Sequence, residues 1–97
     1  MPTQPNVLIL MADQWRYDTC GCFGSQICRT PTVDRLAREG MRFTHSYTSS
    51  PLCSPARASF WSGLWPSHHG ILINTHWRYP VYRNRIPDDI PLMFEIF

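Results

Sequence analysis

Lysine is absent from this 97-residue sequence, which contains nine arginines and seven acidic residues. The formal net charge of +2 is too small to predict binding to nucleic acid or to a membrane surface. Long hydrophobic runs are also missing, since the longest apolar stretch, residues 7–12, is far shorter than the roughly 20 residues of a membrane-spanning helix. The first residues lack the basic start and the cleavage pattern of a signal peptide, so we expect a cytoplasmic protein.

The composition is that of a folding sequence. Hydrophobic residues make up 43% and charged residues 16% of the chain, which excludes a disordered class. The length allows one small domain at most, and nine prolines predict many turns. Internal repeats and low-complexity segments are absent from the sequence.

Three of the four cysteines lie close together in the sequence. Cys20, Cys22 and Cys28 can be combined with His45 as a zinc site, but their spacing matches no common zinc module. We therefore expect them to be reduced thiols in a loop, as is usual for a cytosolic chain. Cys53 stands apart in a different sequence context.

The first half of the chain predicts a β-loop-α-β unit. Residues 7–13 form a continuous apolar run ending in an acid, which is typical of a central strand buried on both faces. Residues 16–31 indicate a loop, and a helix is predicted from an N-cap at Thr32 to a stop at Gly40. The alternating pattern of residues 41–48 then predicts a second strand.

The second half predicts two more helices. One starts near Ser54 or Pro55 and ends at Gly63, and a last one starts within 88–91 and is still apolar at Phe97. Two strands and about three short helices cannot cover a buried parallel sheet. The predicted fold class is therefore α/β, with a mostly parallel sheet flanked by helices that is incomplete in this chain.

Two pairs of residues predict an anion and cation site. Cys53 precedes the helix and Arg57 follows one turn later, so free N–H groups and a guanidinium converge where a tetrahedral oxyanion such as sulfate or phosphate can bind. Asp13 and Gln14 end the first strand, at the sheet edge where ligands of α/β proteins bind. Their oxygens suit a hard divalent cation, although a solvated loop pair is the simpler interpretation of these two residues alone.

Four segments together resemble the type I sulfatases of the alkaline phosphatase superfamily. They occur in the family's order and read PNVLILMADQ, TPTVDRLAREGMRFTHSYT, PLCSPARASFWSGLWPSHHG and IPDDIPLMFEIF. The resemblance implies that residues 1–97 are an N-terminal fragment of a sulfatase catalytic domain with an alkaline-phosphatase-like fold. It also implies that a formylglycine-generating enzyme oxidises Cys53 to formylglycine, whose hydrate attacks the sulfur of the ester.

The same resemblance implies roles for the candidate site residues. Asp13, Gln14 and the formylglycine oxygen at Cys53 would be ligands of a divalent metal. Calcium is the first choice, and manganese, magnesium or zinc are alternatives. Arg57 would steady the formylglycine.

One departure from the family pattern is informative. Many sulfatases have two aspartates where this chain has Asp13 and Gln14, and the form with glutamine resembles a subgroup containing choline sulfatases and phosphonate monoester hydrolases. In that subgroup an asparagine after the motif contacts the substrate, and Asn74 falls at its place, with an ordinary turn residue as the alternative. His69 matches a histidine common after the motif, and either a substrate contact or a structural hydrogen bond would explain it.

The predicted function is hydrolysis of a small-molecule sulfate ester. Phosphonate monoester or phosphodiester hydrolysis is the alternative, followed by a non-catalytic remnant. A thiol enzyme that uses unmodified Cys53 with His45 or His69 is disfavoured, since their spacing matches no thiol-enzyme signature. Further metal ligands and cationic sulfate contacts lie downstream in the family, so the 97 residues alone are expected to be inactive. Both a monomer and an oligomer are compatible with the sequence.

Overall fold

A computed structural model describes residues 5–76 and 80–96 of the chain. The chain divides into two compact units, Met1–Thr44 and His45–Phe97. No helix among the described residues has the length and apolar character needed to cross a bilayer. The four α-helices found in these residues are α1 Pro31–Glu39, α2 Cys53–Ser62, α3 Pro66–His69 and α4 Met93–Ile96.

The first unit contains α1 and two single-turn 3-10 helices, Tyr17–Thr19 and Gly21–Phe23. Helix α1 begins with Pro31 at its first position, and Thr30 is its N-cap. Thr30 therefore replaces the predicted Thr32. Proline suits the first helical position because its φ is already helical and no N–H is needed there.

A hydrogen-bond network attaches the loop of the first unit to α1. The Asp34 carboxylate accepts hydrogen bonds from the Cys22 backbone N–H at 2.7 Å and from the Thr30 hydroxyl at 3.0 Å. The Gly21 N–H donates in turn to the Thr30 hydroxyl at 2.8 Å. A Cβ atom at Gly21 would lie 2.5 Å from an Asp34 carboxylate oxygen, so a larger residue would displace this carboxylate.

The second unit packs α2 against α3 and α4. Ala58 of α2 is buried, as is Ile71 just after α3. The Trp61 ring of α2 meets the Phe94 ring of α4 with their centroids 6.0 Å apart. Gly63 ends α2 in the left-handed conformation, at φ 70°, which confirms the predicted stop.

Two predicted helix starts are shifted in the structure. Helix α2 begins at Cys53 rather than at Ser54 or Pro55, so the proline occupies the third position of the first turn. A proline anywhere in the first turn removes an N–H that has no partner inside the helix. The last helix begins at Met93, beyond the predicted region 88–91.

Neither predicted strand forms. Residues 7–13 and 41–48 have irregular backbone, and no strand is found among the residues that the structure describes. Leu8 is 82% exposed, whereas a central strand would bury it. A strand exists only when its backbone groups pair with a neighbour, and the described residues provide no such neighbour. The sheet stays a prediction.

Candidate functional site

Cys53 and Arg57 lie one turn apart on α2. Cys53 is the first residue of the helix and is half-buried, and Arg57 is also half-buried. Side chains four residues apart in a helix share one face, so the structure brings the predicted precursor and the predicted cation together. This part of the candidate site is formed by a single element.

The N–H groups at the start of α2 are largely in use. The Ser54 N–H donates to Asn74 Oδ1 at 3.0 Å, and the Leu52 N–H donates to the Ser50 hydroxyl at 3.2 Å. Pro55 has no N–H to offer. The expectation of several free N–H groups around an anion is therefore wrong for this turn, and the charge complement of an anion must come mainly from Arg57 and a cation.

Asn74 lies next to the start of α2. Its side-chain oxygen must be the atom that faces Ser54, because the backbone N–H of Ser54 can only donate. The amide nitrogen of Asn74 is then the group that is left to contact other molecules, and it is purely a donor. A donor beside residue 53 suits the oxygens of an anionic ester, and the predicted substrate contact of Asn74 stays a prediction.

His69 is buried and hydrogen-bonded through both ring nitrogens. Its Nδ1 accepts from the Ile71 N–H at 3.1 Å, so the proton of the neutral ring lies on Nε2, which donates to the Ser59 hydroxyl at 3.0 Å. Burial is the main cause that lowers the pKa of His69, and the nearby His68 lowers it further. This geometry fits the structural alternative for His69 and ties α3 to α2.

We expect His69 to make the unit sensitive to acid. A histidine whose folded pKa is lowered contributes stability that is complete above its unfolded pKa of 6.5 and is lost as the pH falls below it. Protonation of Nδ1 would also remove the acceptor of the Ile71 N–H. The free energy of unfolding of the full-length protein, measured by urea at pH 7.5 and 5.5, should therefore decrease at the lower pH.

Two variants test the assignment to His69. His69→Ala should lower the free energy of unfolding at pH 7.5 by about 2–3 kcal/mol, because it removes a buried ring and two hydrogen bonds. It should also make the difference between the two pH values smaller. His68→Ala, at an exposed neighbouring position, serves as the control and should keep most of that difference. An unchanged difference in His69→Ala would contradict the assignment.

Asp13 and Gln14 belong to the first unit, whereas Cys53 belongs to the second. Gln14 has a φ of 49°, a left-handed backbone conformation that is uncommon for a residue other than glycine. Such conformations concentrate at functional sites. The carboxylate of Asp13 and the amide oxygen of Gln14 are hard oxygen donors and fit a cation such as calcium. The metal site that would join these residues to position 53 stays a prediction.

The cysteines of the first unit are free thiols. Cys20 is buried, and burial is the main cause that raises the pKa of its thiol. Within residues 5–76 and 80–96, no group of three or more histidine, cysteine and acidic side chains is arranged to hold a metal ion. The zinc interpretation of Cys20, Cys22, Cys28 and His45 therefore gains no support.

Sequence reasoning missed the side-chain contacts that organise this site. Ser54 and Thr75 contact each other through their hydroxyls at 3.3 Å, and Ser59 was not recognised as the partner of His69. These partners are separated by 21 and 10 positions, and no local motif links them.

Residues 5–97 match the sulfatase family. The motif at the start of α2 lies inside this match, which covers nearly the whole chain. The chain therefore belongs to the sulfatase family, and this membership implies the α/β fold of the alkaline phosphatase superfamily. No solved structure matches the chain.

The curated proteins to which the chain is similar are also sulfatases. The chain is 43% identical over 81 residues to the steryl-sulfatase of Mus musculus, which covers 84% of the chain and 13% of that protein. It is 36% identical over 91 residues to the N-acetylgalactosamine-6-sulfatase of Homo sapiens, covering 93% of the chain and 17% of the relative. The chain is 38% identical over 73 residues to an ulvan-active sulfatase of Formosa agariphila, which covers 75% of the chain and 14% of that sulfatase. The chain thus spans less than a fifth of each of these relatives.

Proposed function

We propose that the full-length protein hydrolyses small-molecule sulfate esters with a formylglycine derived from Cys53. The observation that carries the proposal is the position of Cys53 at the first residue of α2, with Arg57 one turn later, inside the region that matches the sulfatase family. The relatives named above are sulfatases acting on different esters, which supports the reaction type and leaves the alcohol open.

Each side chain then has a distinct task. Arg57 places a fixed positive charge on the same helix face as residue 53, where it orients that residue and balances the charge of the ester. The amide nitrogen of Asn74 donates to an ester oxygen. Asp13 and Gln14 hold the cation through oxygen atoms.

Formylglycine at position 53 and the divalent cation would supply the remaining chemistry. Formylglycine, once formed and hydrated, provides two hydroxyls on one carbon, so that one can attack sulfur and the other can expel the sulfate. The divalent cation, once bound, lowers the pKa of a hydroxyl that it touches and neutralises sulfate oxygens. A formylglycine-generating enzyme is accordingly the proposed partner of the chain.

Phosphonate monoester or phosphodiester hydrolysis is a second candidate, favoured by Gln14. The pair Asp13 and Gln14 resembles the form found in the subgroup that contains phosphonate monoester hydrolases, and the glutamine removes one negative charge next to the cation. The proposal of this subgroup rests on that resemblance and on Asn74, whose side chain bonds to the start of α2.

An ester panel tests the proposal. The full-length protein is produced together with a formylglycine-generating enzyme, its modified fraction is measured by mass spectrometry, and kcat/KM is compared for an aryl sulfate and an aryl phosphonate monoester with calcium added. We expect the higher value for the sulfate. A higher value for the phosphonate would favour the second candidate, and hydrolysis of neither ester by modified protein would contradict both.

A further inference from the structure

The first turn of α2 is fastened to residues 74–75 by three hydrogen bonds that run in both directions. The Ser54 N–H donates to Asn74 Oδ1 at 3.0 Å. The Thr75 N–H donates to the Ser54 hydroxyl at 3.1 Å, and the hydroxyls of Ser54 and Thr75 lie 3.3 Å apart. We call Ser54, Asn74 and Thr75 the hydroxyl clamp.

The start of α2 needs such an external partner. Its N-cap residue is Leu52, whose hydrocarbon side chain cannot accept a hydrogen bond from the first-turn N–H groups. Asn74 supplies the missing acceptor from a segment 20 positions further along the chain. Without it, the Ser54 N–H would depend on water, and the ends of helices fray.

The hydroxyl clamp lies next to Cys53, the residue that reacts in the proposed function. Cys53 directly precedes Ser54, and Pro55 on the other side of Ser54 is fully buried. Pro55 holds this first turn in place by packing, and the hydroxyl clamp holds it in place by hydrogen bonds. Together they leave residue 53 little freedom to move relative to Arg57, which lies on the same helix.

We propose that Ser54 and Thr75 are positioning residues, whose hydroxyls hold the reactive group at residue 53 in the geometry needed for attack. This inference rests on the proposed function, because it assumes that residue 53 reacts. The two hydroxyls contact each other, and the Ser54 hydroxyl also accepts from the Thr75 N–H, so they act on the substrate through residue 53. Loss of the clamp should therefore lower kcat and leave KM almost unchanged.

The expected size of the effect follows from the sensitivity of attack to distance. A displacement of about 1 Å can cost about 100-fold in rate. Ser54→Ala removes both contacts of the Ser54 hydroxyl and should lower kcat by about 10- to 100-fold. Thr75→Val removes only the contact between the hydroxyls, since its backbone N–H remains, and should have a smaller effect. Ser54→Thr retains a hydroxyl and should keep most of the activity.

The control variant is Ser62→Ala. Ser62 is another half-buried serine of α2, and its hydroxyl donates to the Ala58 carbonyl at 2.6 Å at the opposite end of the helix. The same hydroxyl accepts from the Leu64 N–H at 3.3 Å, so Ser62→Ala also removes two contacts of a serine hydroxyl of α2 without touching the first turn. The kcat of this variant should stay close to that of the wild type.

The experiment uses the full-length protein co-produced with a formylglycine-generating enzyme. Because Ser54 lies inside the motif that this enzyme reads, the fraction of formylglycine is measured by mass spectrometry for each variant, and kcat for an aryl sulfate is expressed per modified chain. Amide hydrogen exchange at Ser54 and Thr75 provides a second measurement. Both amides should be protected in the wild type and exchange faster in Ser54→Ala.

The outcomes separate the two proposals. Ser54→Ala with the wild-type kcat per modified chain would overturn the clamp and leave the proposed function intact. An equal loss of kcat in Ser62→Ala would show that general helix stability is responsible, and would also overturn the clamp. A modified wild-type protein that hydrolyses no ester would contradict the proposed function and this inference with it. The expected pattern of low kcat, unchanged KM and rescue by Ser54→Thr would support both.

Discussion

The Cys53→Ala variant of the full-length protein is expected to hydrolyse an aryl sulfate about a thousandfold or more slowly than the wild type, as is usual when a nucleophile is removed. Alanine cannot be oxidised to an aldehyde, so the variant has no hydroxyl pair with which to attack sulfur. Arg57, Asp13 and Gln14 are unchanged in this variant, although the cation loses its proposed ligand at position 53. We expect most of the loss to be in kcat, because the attacking group itself is removed.

Folding should be almost unaffected by this change. Cys53 is half-buried and occupies the first position of α2, where alanine is also tolerated. The free energy of unfolding should change by less than about 1 kcal/mol. Cys28→Ala, at an exposed cysteine of the other unit, is the matched control and should retain activity. A Cys53→Ala variant that kept a substantial fraction of the wild-type rate would show that residue 53 is not the nucleophile precursor.

The second large effect is expected at Asp13. Asp13→Asn replaces a charged ligand by a neutral one and should weaken binding of the divalent cation at least about 10- to 100-fold, since loss of an outer-shell partner already costs this much. Gln14→Glu has the opposite sign, because it adds a negative charge beside the cation. Metal content after dialysis, measured by mass spectrometry of the elements, should fall for the first variant and hold or rise for the second.

Asp18→Asn is the control for the metal measurement. Asp18 is another acidic residue of the first unit, and its carboxylate is paired with Arg16 at 2.5 Å. Loss of that pair should leave metal content unchanged, which separates a ligand effect from a general change of charge. Asp13→Asn protein that retains as much metal as the wild type after dialysis would rule out Asp13 as a ligand.

Local patterns were sufficient to predict α2, the helix that carries Cys53 and Arg57, but not α3, which carries His69. Pro55 and Gly63 bracket α2 in the sequence, and the left-handed conformation of Gly63 confirms the stop. The start was misplaced by one or two residues because proline is compatible with any position of a first turn. In α1 the proline, Pro31, stands at the first position, so the N-cap is Thr30 and not the predicted Thr32.

Features that depend on distant parts of the chain could not be predicted. The cap that Asn74 provides for Ser54 joins residues 20 positions apart, and the partnership of Ser59 with the buried His69 spans 10. Sequence patterns report which residues prefer a turn or a helix, but they do not report which distant side chain accepts a hydrogen bond from an unpaired N–H group. The apolar run at residues 7–12 has a high strand propensity but forms no strand in the structure. A strand also needs a neighbour with which its backbone can pair, and none is found among the described residues.

The most direct test of this account is the intact mass of the chain after production together with a formylglycine-generating enzyme. Replacement of the Cys53 side chain CH₂–SH by an aldehyde lowers the mass by about 18 Da, whereas ordinary oxidation of a thiol adds oxygen and raises it. We expect this decrease, with fragmentation placing it at residue 53 and leaving Cys20, Cys22 and Cys28 unchanged. A chain that keeps its unmodified mass in the presence of an active modifying enzyme would contradict the assignment of Cys53 as a formylglycine precursor.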